Sequence, residues 1–207
     1  MRRFLLLVHR VPTGGQFTLN DLAGGGGRVD EVARAVSTGF LLSNDLRRDT
    51  EMTILLASDR PPGPRRIRLL GERLRHLNPD ERSTAALLKN ALVRGIPAEH
   101  DVEASPGLLV GPVDPAQEIQ AFAAQEGALW LTEGGVPLDG AAGAPGGFAA
   151  VLGDPYGPSV EEQALLERLG LPRYSLGPRS MRVSQCIDVL HNHFDRREGP
   201  PSAESVP

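Results

Sequence analysis

The sequence predicts an α/β protein with a mainly parallel sheet flanked by helices. Two features of its 207 residues support this fold class: short apolar runs of strand length alternate with amphipathic segments, and the runs are apolar at nearly every position. Alternating strands and helices are typical of parallel sheets, and continuous apolar character is typical of strands covered on both faces. We therefore expect one domain over residues 1–197, followed by a disordered tail at 198–207.

The first predicted strand, residues 4–9, is followed by a loop at 12–27 that ends in four glycines. Such loops can cradle phosphates, but no Lys-Ser/Thr pair follows this run and no strand directly precedes it, which argues against a nucleotide P-loop. A helix then begins near Arg28, because apolar residues recur at i, i+3, i+4 and i+7. These residues are Val29, Val32, Ala33, Val36 and Phe40.

Two further strands are predicted in the first half, at 52–57 and 67–70, on either side of a Pro/Gly-rich turn. The sequence Asn78-Pro-Asp-Glu81 then has the form of a helix start. Its Asn is the expected N-cap, its Pro takes the first helical position, and its Glu completes a capping-box-like pair. A helix is therefore expected after Asn78.

The second half predicts strands and helices in alternation, after a stretch at 95–112 with few periodic cues. Ser159 with Glu162 has the capping-box spacing that starts a helix, and Ser184 is the expected cap of the last helix. The glycine-rich residues 134–147 are expected to form a loop. The remaining predicted elements are a helix at 115–126, strands at 129–131, 148–152 and 173–176, and the C-terminal helix.

Basic residues are concentrated in the N-terminal part of the chain. Residues 1–100 contain 16 Arg or Lys against 11 Asp or Glu, whereas residues 101–207 contain 6 against 15. Such asymmetry is typical of proteins that contact nucleic acid, although arginines paired with nearby acids would give the same composition. Aromatic residues make up only 4%, which argues against base-stacking platforms and favours phosphate contacts.

Two predicted strands end in glycine-containing loops that lead into helices. The loop 153–157 follows the strand at 148–152, and Gly177-Pro178 follows the strand at 173–176. Because α/β proteins bind small ligands at the carboxyl ends of strands, we expect these two strand ends to lie side by side with a ligand site between them. Each glycine is equally compatible with an ordinary strand-to-helix turn.

Eight short motifs are spread along the chain. They are Gly27-Arg-Val-Asp30, Ala35-Val-Ser37, residues 42–49, residues 78–82, Leu152-Gly-Asp-x-x-Gly157, Ser175-Leu-Gly-Pro178, Ser184-Gln-Cys186 and His191-Asn-x-x-Asp195. In this order and at about this spacing they resemble the TrmY-type SPOUT methyltransferases. The resemblance covers roughly residues 1 to 196.

This resemblance implies a SPOUT-type fold with a C-terminal trefoil knot, a feature that the strand pattern alone argues against. A basic, RNA-facing part (1–100) would precede a cofactor-binding part (112–197). The implied reaction is methylation of N1 of a pseudouridine in the T-loop of tRNA, at position 54, with S-adenosylmethionine (SAM) as cofactor and a homodimer as the assembly. Two alternatives stay open: a SPOUT methyltransferase of rRNA, and a non-catalytic protein that binds SAM or RNA.

The resemblance also implies roles for individual residues. Asp80 is expected to orient or deprotonate the acceptor nitrogen, although it would also stabilise a helix start by its charge. The residues expected to contact the cofactor are Leu131, Gly153, Leu176, Gly177, Pro178, Met181 and Cys186. The residues expected to contact RNA are Arg28, Arg47, Arg48 and Arg82.

Several other kinds of site are not expected. Cys186 is the single cysteine, and since a nitrogen acceptor needs no thiolate adduct, it is expected to line the pocket and not to act as a nucleophile. His191 and His193 are two residues apart on a predicted helix and therefore point to different faces, so no metal is expected. The apolar run 4–8 is too short for a membrane span or signal-peptide core; we expect a cytoplasmic protein.

Overall fold

The computed structural model of the chain describes residues 1–58, 60–138 and 147–198. Its elements alternate largely as predicted. In chain order they are β1 (Arg2–Val8), α1 (Val29–Phe40), β2 (Thr50–Leu56), β3 (Arg65–Leu70), α2 (Glu81–Gly95), β4 (Val102–Ser105), β5 (Leu108–Pro112), α3 (Pro115–Ala123), β6 (Ala128–Pro137), β7 (Phe148–Gly153), α4 (Val160–Arg168), β8 (Arg173–Ser175) and α5 (Val183–Glu198).

The strands form an eight-stranded sheet in the order β4-β5-β3-β2-β1-β7-β6-β8. Strands β2, β1, β7, β6 and β8 pair in parallel, while β3, β5 and β4 extend the sheet with antiparallel pairings. The predicted α/β class with a mainly parallel sheet is confirmed. All the candidate site strands belong to the parallel part.

Both faces of the sheet are covered, as the continuous apolar strands predicted. In β1, Phe4, Leu6 and Val8 belong to one buried apolar cluster, which they share with residues of α1, α2 and α5. Leu5 and Leu7 point to the opposite face and pack in a second cluster with residues of α3 and α4. The alternation along β1 therefore places its side chains in two separate cores.

Strand β6 is longer than predicted. Residues 134–137 were expected to begin a loop, but they continue the strand and pair with β8, Val136 opposite Tyr174 and Pro137 opposite Ser175. Pairing with a neighbouring strand, which local sequence cannot show, overrides the turn preference of the two glycines. Residues 139–146 of the predicted loop lie outside the described residues.

The hairpin of β4 and β5 was not predicted, because residues 95–112 contain few periodic cues. Gly107 provides its turn with a positive φ of 75°, and β5 pairs with both β4 and β3. The signal was weak because β4 has only four residues and one buried position.

Two helix starts differ from prediction by one or two residues. The N-cap of α2 is Asp80, whose carboxylate accepts a hydrogen bond from the Ser83 N–H at 2.8 Å; Asn78 instead provides a carbonyl to the Thr84 hydroxyl. Helix α5 begins at Val183, before Ser184. The predicted capping box of Ser159 and Glu162 is present at α4.

The trefoil knot and the division into N- and C-terminal parts stay predictions. The knot depends on the path of the whole C-terminal segment, which includes residues outside the described ranges. Of the predicted tail, residues 199–207 lie outside them as well, and residue 198 is the last residue of α5.

Candidate functional site at the carboxyl edge of the parallel strands

A cavity of about 400 Å³ opens at the carboxyl ends of β7 and β8, beside residues 130–133 of β6. Residues 176, 177 and 179–182, between β8 and α5, form one wall, and the start of α1 closes another side through Arg28 and Glu31. Because parallel strands end at the same edge of a sheet, the exit loops of β7 and β8 both reach this cavity. The volume lies within the range of roughly 300–1,000 Å³ that is typical of small-molecule sites.

The cavity brings together most of the predicted cofactor residues. Leu131, Gly153, Leu176, Gly177, Met181 and Cys186 line it, whereas Pro178 does not. The expectation that the ends of β7 and β8 lie side by side was wrong, because β6 lies between them. As a result, β6 contributes Trp130, Thr132 and Glu133 to the lining, none of which the sequence analysis singled out.

The wall formed by residues 175–177 depends on backbone geometry. Gly177 has a φ of 146°, a conformation that residues with a side chain rarely adopt. Its N–H donates to the Ser175 hydroxyl at 3.2 Å, and that hydroxyl donates to the Gly177 carbonyl at 2.9 Å. The Ser175 hydroxyl thus holds the main chain at Gly177 in this conformation beside the cavity.

Cys186 lies at the base of this wall, in the first part of α5. Burial, followed by the nearby Glu133 carboxylate, raises the pKa of its thiol to about 11. A thiol with such a pKa is almost wholly protonated at neutral pH and is a poor nucleophile. The cysteine is therefore suited to packing in the lining.

Glu31 places a buried carboxylate in the cavity lining. Only 6% of the residue is exposed, and its Oε1 accepts hydrogen bonds from Arg28 at 2.6 Å and forms an ion pair with Arg34 at 2.9 Å. Its Oε2 is buried without a hydrogen-bond partner among the described residues. A buried acceptor without a hydrogen-bond partner is costly, so this oxygen is an unsatisfied polar atom beside the cavity.

The four arginines predicted to contact RNA lie at different places. Arg28 lines the cavity and donates to Asp30 and Glu31. Arg47 is mostly buried and forms a bidentate pair with Asp195. The remaining two lie elsewhere: Arg48 donates to the carbonyls of Gly71 and Leu74, and Arg82 to the Leu19 carbonyl and the Asn20 amide.

Arg48 also borders a shallow depression of about 850 Å³ between β3 and the β4–β5 turn, together with Arg73, Arg75 and Glu103. This depression is larger than the cavity at the strand ends, but it is more open and lies away from the carboxyl ends of the parallel strands. Arg73 is paired there with Glu103. We therefore take the smaller cavity as the candidate site.

Asp80, the predicted catalytic carboxylate, does not line the cavity. It caps α2, and the hydrogen bonds from Ser83 hold the pKa of this exposed carboxylate below its usual value. Its neighbour Glu81 binds Arg34 at 2.5 Å, and Arg34 in turn binds Glu31. The chain of ion pairs thus connects Glu81, and not Asp80 itself, to the cavity.

The glycine run 24–27 is held by hydrogen bonds to a residue of its own loop. The Asp21 carboxylate accepts the N–H groups of Gly24 and Gly25 at 2.9 and 2.7 Å. These amides are the groups that a phosphate would need, and an internal anion already occupies them. The arrangement agrees with the argument against a P-loop.

A histidine between two carboxylates supports the exit loop of β7. The Nε2 atom of His9 lies 2.8 Å from a Glu162 carboxylate oxygen and its Nδ1 atom 3.3 Å from an Asp154 oxygen. The hydrogen bond with Asp154, followed by that with Glu162, raises the pKa of His9 to about 10. Since Asp154 lines the cavity, the charged His9 joins the cavity to the start of α4.

Replacing His9 with glutamine is expected to lower stability in a pH-dependent manner. The raised pKa means that the folded protein holds a proton that the unfolded chain loses above its ordinary pKa of 6.5. The stabilisation is complete below pH 6.5 and is lost as the pH rises towards 10. At pH 6 the loss in free energy of unfolding is expected to be roughly 1–3 kcal/mol, typical of hydrogen bonds to charged groups.

Urea unfolding of the wild type and H9Q between pH 6 and 10 measures this difference. A second substitution, H100Q, serves as the control because His100 is exposed and should leave the pH profile unchanged. A wild-type advantage over H9Q that stays constant across this pH range would show that His9 is not charged in the folded protein.

Comparisons with known proteins agree with the resemblance that the motifs carry. Residues 1–199 match the family described as "Putative SAM-dependent RNA methyltransferase". The chain belongs to this family. Membership confirms the predicted class of enzyme, an RNA methyltransferase, and the predicted cofactor, SAM.

Curated relatives in the family span nearly the whole chain. A protein of Methanocella arvoryzae is 40% identical over 95% of this chain and 100% of its own length. A protein of Methanocorpusculum labreanum is 38% identical over 95% of this chain and 98% of its own length. Both are named tRNA (pseudouridine(54)-N(1))-methyltransferase, so the resemblance carried by the motifs is confirmed.

A solved structure shows the same fold. Archaeoglobus fulgidus Nep1, crystallised with S-adenosylhomocysteine, aligns with a TM-score of 0.53 over 94% of this chain and 97% of its own, at 16% identity. At this identity the likeness supports the fold alone.

The structure adds two negative observations. Among the described residues, no helix is long and apolar enough to cross a membrane. The same parts of the chain contain no group of three or more His, Cys, Asp or Glu residues arranged to hold a metal ion. His191 itself is buried against Arg2, and burial with the nearby Arg47 and Arg2 charges lowers its pKa to about 3.

Proposed function

We propose that this family member transfers a methyl group from SAM to N1 of pseudouridine 54 in the T-loop of tRNA. The observation that carries the proposal is the near-full-length identity of 34–40% to curated relatives that bear this name. The position of the cavity supports it, since six of the seven predicted cofactor residues meet there.

The lining of the cavity is chemically suited to SAM. The cofactor supplies an electrophilic methyl group and carries positive charge on its sulfonium and amino groups. Glu31 and Glu133 place two carboxylates in the lining, and Leu131, Leu176 and Met181 provide apolar walls. The main chain around Gly177 offers close approach to hydrogen-bonding groups. A cationic, partly apolar ligand therefore finds complementary partners on several sides.

The protein has two tasks in this reaction: to hold the acceptor nitrogen in line with the methyl group, and to accept the N1 proton. Positioning supplies most of the rate enhancement in such transfers, while a general base adds typically about 10²–10⁴-fold. The motif resemblance points to Asp80 as the proton acceptor, and the structure offers Glu31 as a second candidate because it lies in the cavity wall. We propose that one of these two carboxylates takes the proton.

A homodimer and a trefoil knot belong to the same proposal. Asp80 lies outside the cavity of its own protomer, and a dimer could bring α2 of one protomer to the cavity of another. Light scattering coupled to size-exclusion chromatography measures the mass, and a stable monomer that methylates RNA would contradict the dimer. A tRNA substrate also implies action in the cytoplasm.

The reaction is tested with T-loop RNA hairpins that carry pseudouridine or uridine at position 54, incubated with methyl-labelled SAM. We expect incorporation only into the pseudouridine hairpin, since uridine has a carbon where pseudouridine presents N1. Equal labelling of both would contradict N1 as the acceptor. Labelling of neither, when purified rRNA is labelled in parallel, would contradict tRNA as the substrate.

A further inference from the structure

An exposed tyrosine stands at the rim of the cavity. Tyr156 lies in the exit turn of β7, and 49% of it is exposed. Its N–H donates to Asp154 Oδ1 at 2.8 Å, and the Gly157 N–H donates to the Asp154 carbonyl at 2.9 Å. Its neighbours Pro155 and Gly157 both line the cavity. These hydrogen bonds fix the turn, so the Tyr156 ring lies beside the mouth of the cavity.

The guanidinium of Arg10 lies over this ring, with its carbon 3.4 Å from the ring centroid. Arg10 is exposed, and within the described ranges it has no ion pair with a carboxylate. Other arginines of the basic N-terminal part are paired internally: Arg2 with Asp195, Arg66 with Asp101, and Arg73 with Glu103. Arg10 therefore keeps a positive charge that no acidic side chain of the described residues neutralises.

Arg28 belongs to the same rim. Backbone packing of Gly27 against Arg10 joins the end of β1 to the start of α1, and Arg28 lines the cavity. Tyr156 is close enough to Arg28 to contribute to the raised pKa of that guanidinium, after the larger effect of Asp30. Two cations and one aromatic ring thus surround one side of the cavity mouth.

Tyr156 differs from every other aromatic residue of the chain. All six Phe residues and Trp130 are buried, and Tyr174 is half-buried. An exposed ring backed by a cation has little to contribute to folding. Its chemistry matches that of single-stranded nucleic acid sites, where bases stack on aromatic side chains and arginines contact the backbone.

The proposed reaction creates a need for such a group. An enzyme that modifies an atom of a base takes that base out of the stack, and each base next to it then loses one stacking partner. We propose that Tyr156 and Arg10 form a stacking subsite for the nucleotide that adjoins the methylated base. The ring replaces the lost stacking partner, and Arg10 holds the ring and meets the adjacent phosphate. This inference rests on the proposed methylation of RNA.

The subsite is tested with the pseudouridine hairpin carrying 2-aminopurine on the 5′ or the 3′ side of the target. We expect Y156L to weaken RNA binding about tenfold, the size typical for loss of a base-stacking aromatic, and to raise the KM for RNA by a similar factor. Y156F should bind like the wild type because it keeps the ring. At one of the two positions, 2-aminopurine should be less fluorescent in the wild-type complex than in the Y156L complex.

Two further variants separate stacking and charge from general disruption. The slope of log binding constant against log salt concentration should be less steep for R10Q by about 0.7. This is the contribution of one phosphate contact to a single strand. V160A, which changes an exposed apolar residue near the same turn, should leave RNA binding unchanged. Affinity for S-adenosylhomocysteine should be the same in all variants, which shows that the cavity is intact.

Wild-type RNA affinity in Y156L, or equal 2-aminopurine fluorescence in the two complexes at both positions, would overturn the subsite. Two other outcomes distinguish a failure of the subsite from a failure of the proposed methylation. If the wild type does not methylate the hairpin but Tyr156-dependent quenching is present, the subsite holds and the assigned reaction is wrong. If the wild type and Y156L methylate the hairpin with the same KM, only the subsite is wrong.

Discussion

Replacing Gly135 with alanine is expected to destabilise the protein and to weaken cofactor binding. A Cβ at Gly135 would lie 2.6 Å from the backbone nitrogen of Tyr174, closer than packed atoms allow. Strands β6 and β8 would have to move apart. Overpacking of this kind costs typically about 1–3 kcal/mol, and β8 leads directly into the cavity wall at 175–177. We expect at least a tenfold loss in affinity for S-adenosylhomocysteine.

Gly134 provides a matched control for this substitution. The nearest atom to a Cβ there is a guanidinium nitrogen of Arg173 at 3.3 Å, which belongs to a flexible side chain and can move aside. G134A should therefore unfold in urea close to the wild type and bind S-adenosylhomocysteine normally. If G135A and G134A had the same free energy of unfolding in urea and the same calorimetric affinity for S-adenosylhomocysteine, the close approach of β6 and β8 would be incorrect.

The second large effect is expected when the proton acceptor of the reaction is removed. We expect E31Q to lower kcat about 100-fold, within the range for loss of a general base, because Glu31 is a buried carboxylate in the cavity wall. D80N is expected to lower kcat less than tenfold, since Asp80 is exposed and its pKa is lowered by its role as a cap. Single-turnover methylation of the pseudouridine hairpin at saturating SAM measures both.

The choice of substitutions separates chemistry from folding. Asparagine is as good an N-cap as aspartate, so D80N keeps the start of α2 while removing the charge. Glutamine keeps a carbonyl oxygen at position 31 that can accept from Arg28 and Arg34. Both variants should unfold in urea close to the wild type, and saturating SAM offsets any loss of cofactor affinity in E31Q. A 100-fold loss in D80N with an active E31Q would assign the proton acceptor to Asp80, as the motif predicted.

Local sequence was sufficient for many of the elements. The strand at 148–152 and the helix after Arg28 were predicted from apolar spacing alone, because that spacing indicates which side chains are buried on folding. The capping box of Ser159 and Glu162 was also predictable, since its partners are three residues apart. The two helix starts that differed, at Asp80 and Val183, differ by only one or two residues.

Elements whose stability depends on distant partners were less predictable. The second half of β6 contains Gly134 and Gly135, which locally favour a turn, and it is a strand because β8 pairs with it. The placement of β6 between β7 and β8 likewise depends on the order of strands in the sheet, which no local pattern contains. This order brought Trp130, Thr132 and Glu133 into the cavity.

The features of the candidate site fall into the same two groups, those that the sequence predicts and those that depend on tertiary structure. The sequence by itself determined the α/β class, the family and six residues of the cavity lining, because these depend on apolar periodicity and on short motifs within strand-to-helix loops. Only the tertiary structure decided which charges are free and which are paired. It buried Glu31 in the cavity wall, matched Arg47 with Asp195, and left Arg10 over the ring of Tyr156. Ion pairs form between residues distant in sequence. Composition therefore gives the number of charged residues but not which of them are paired.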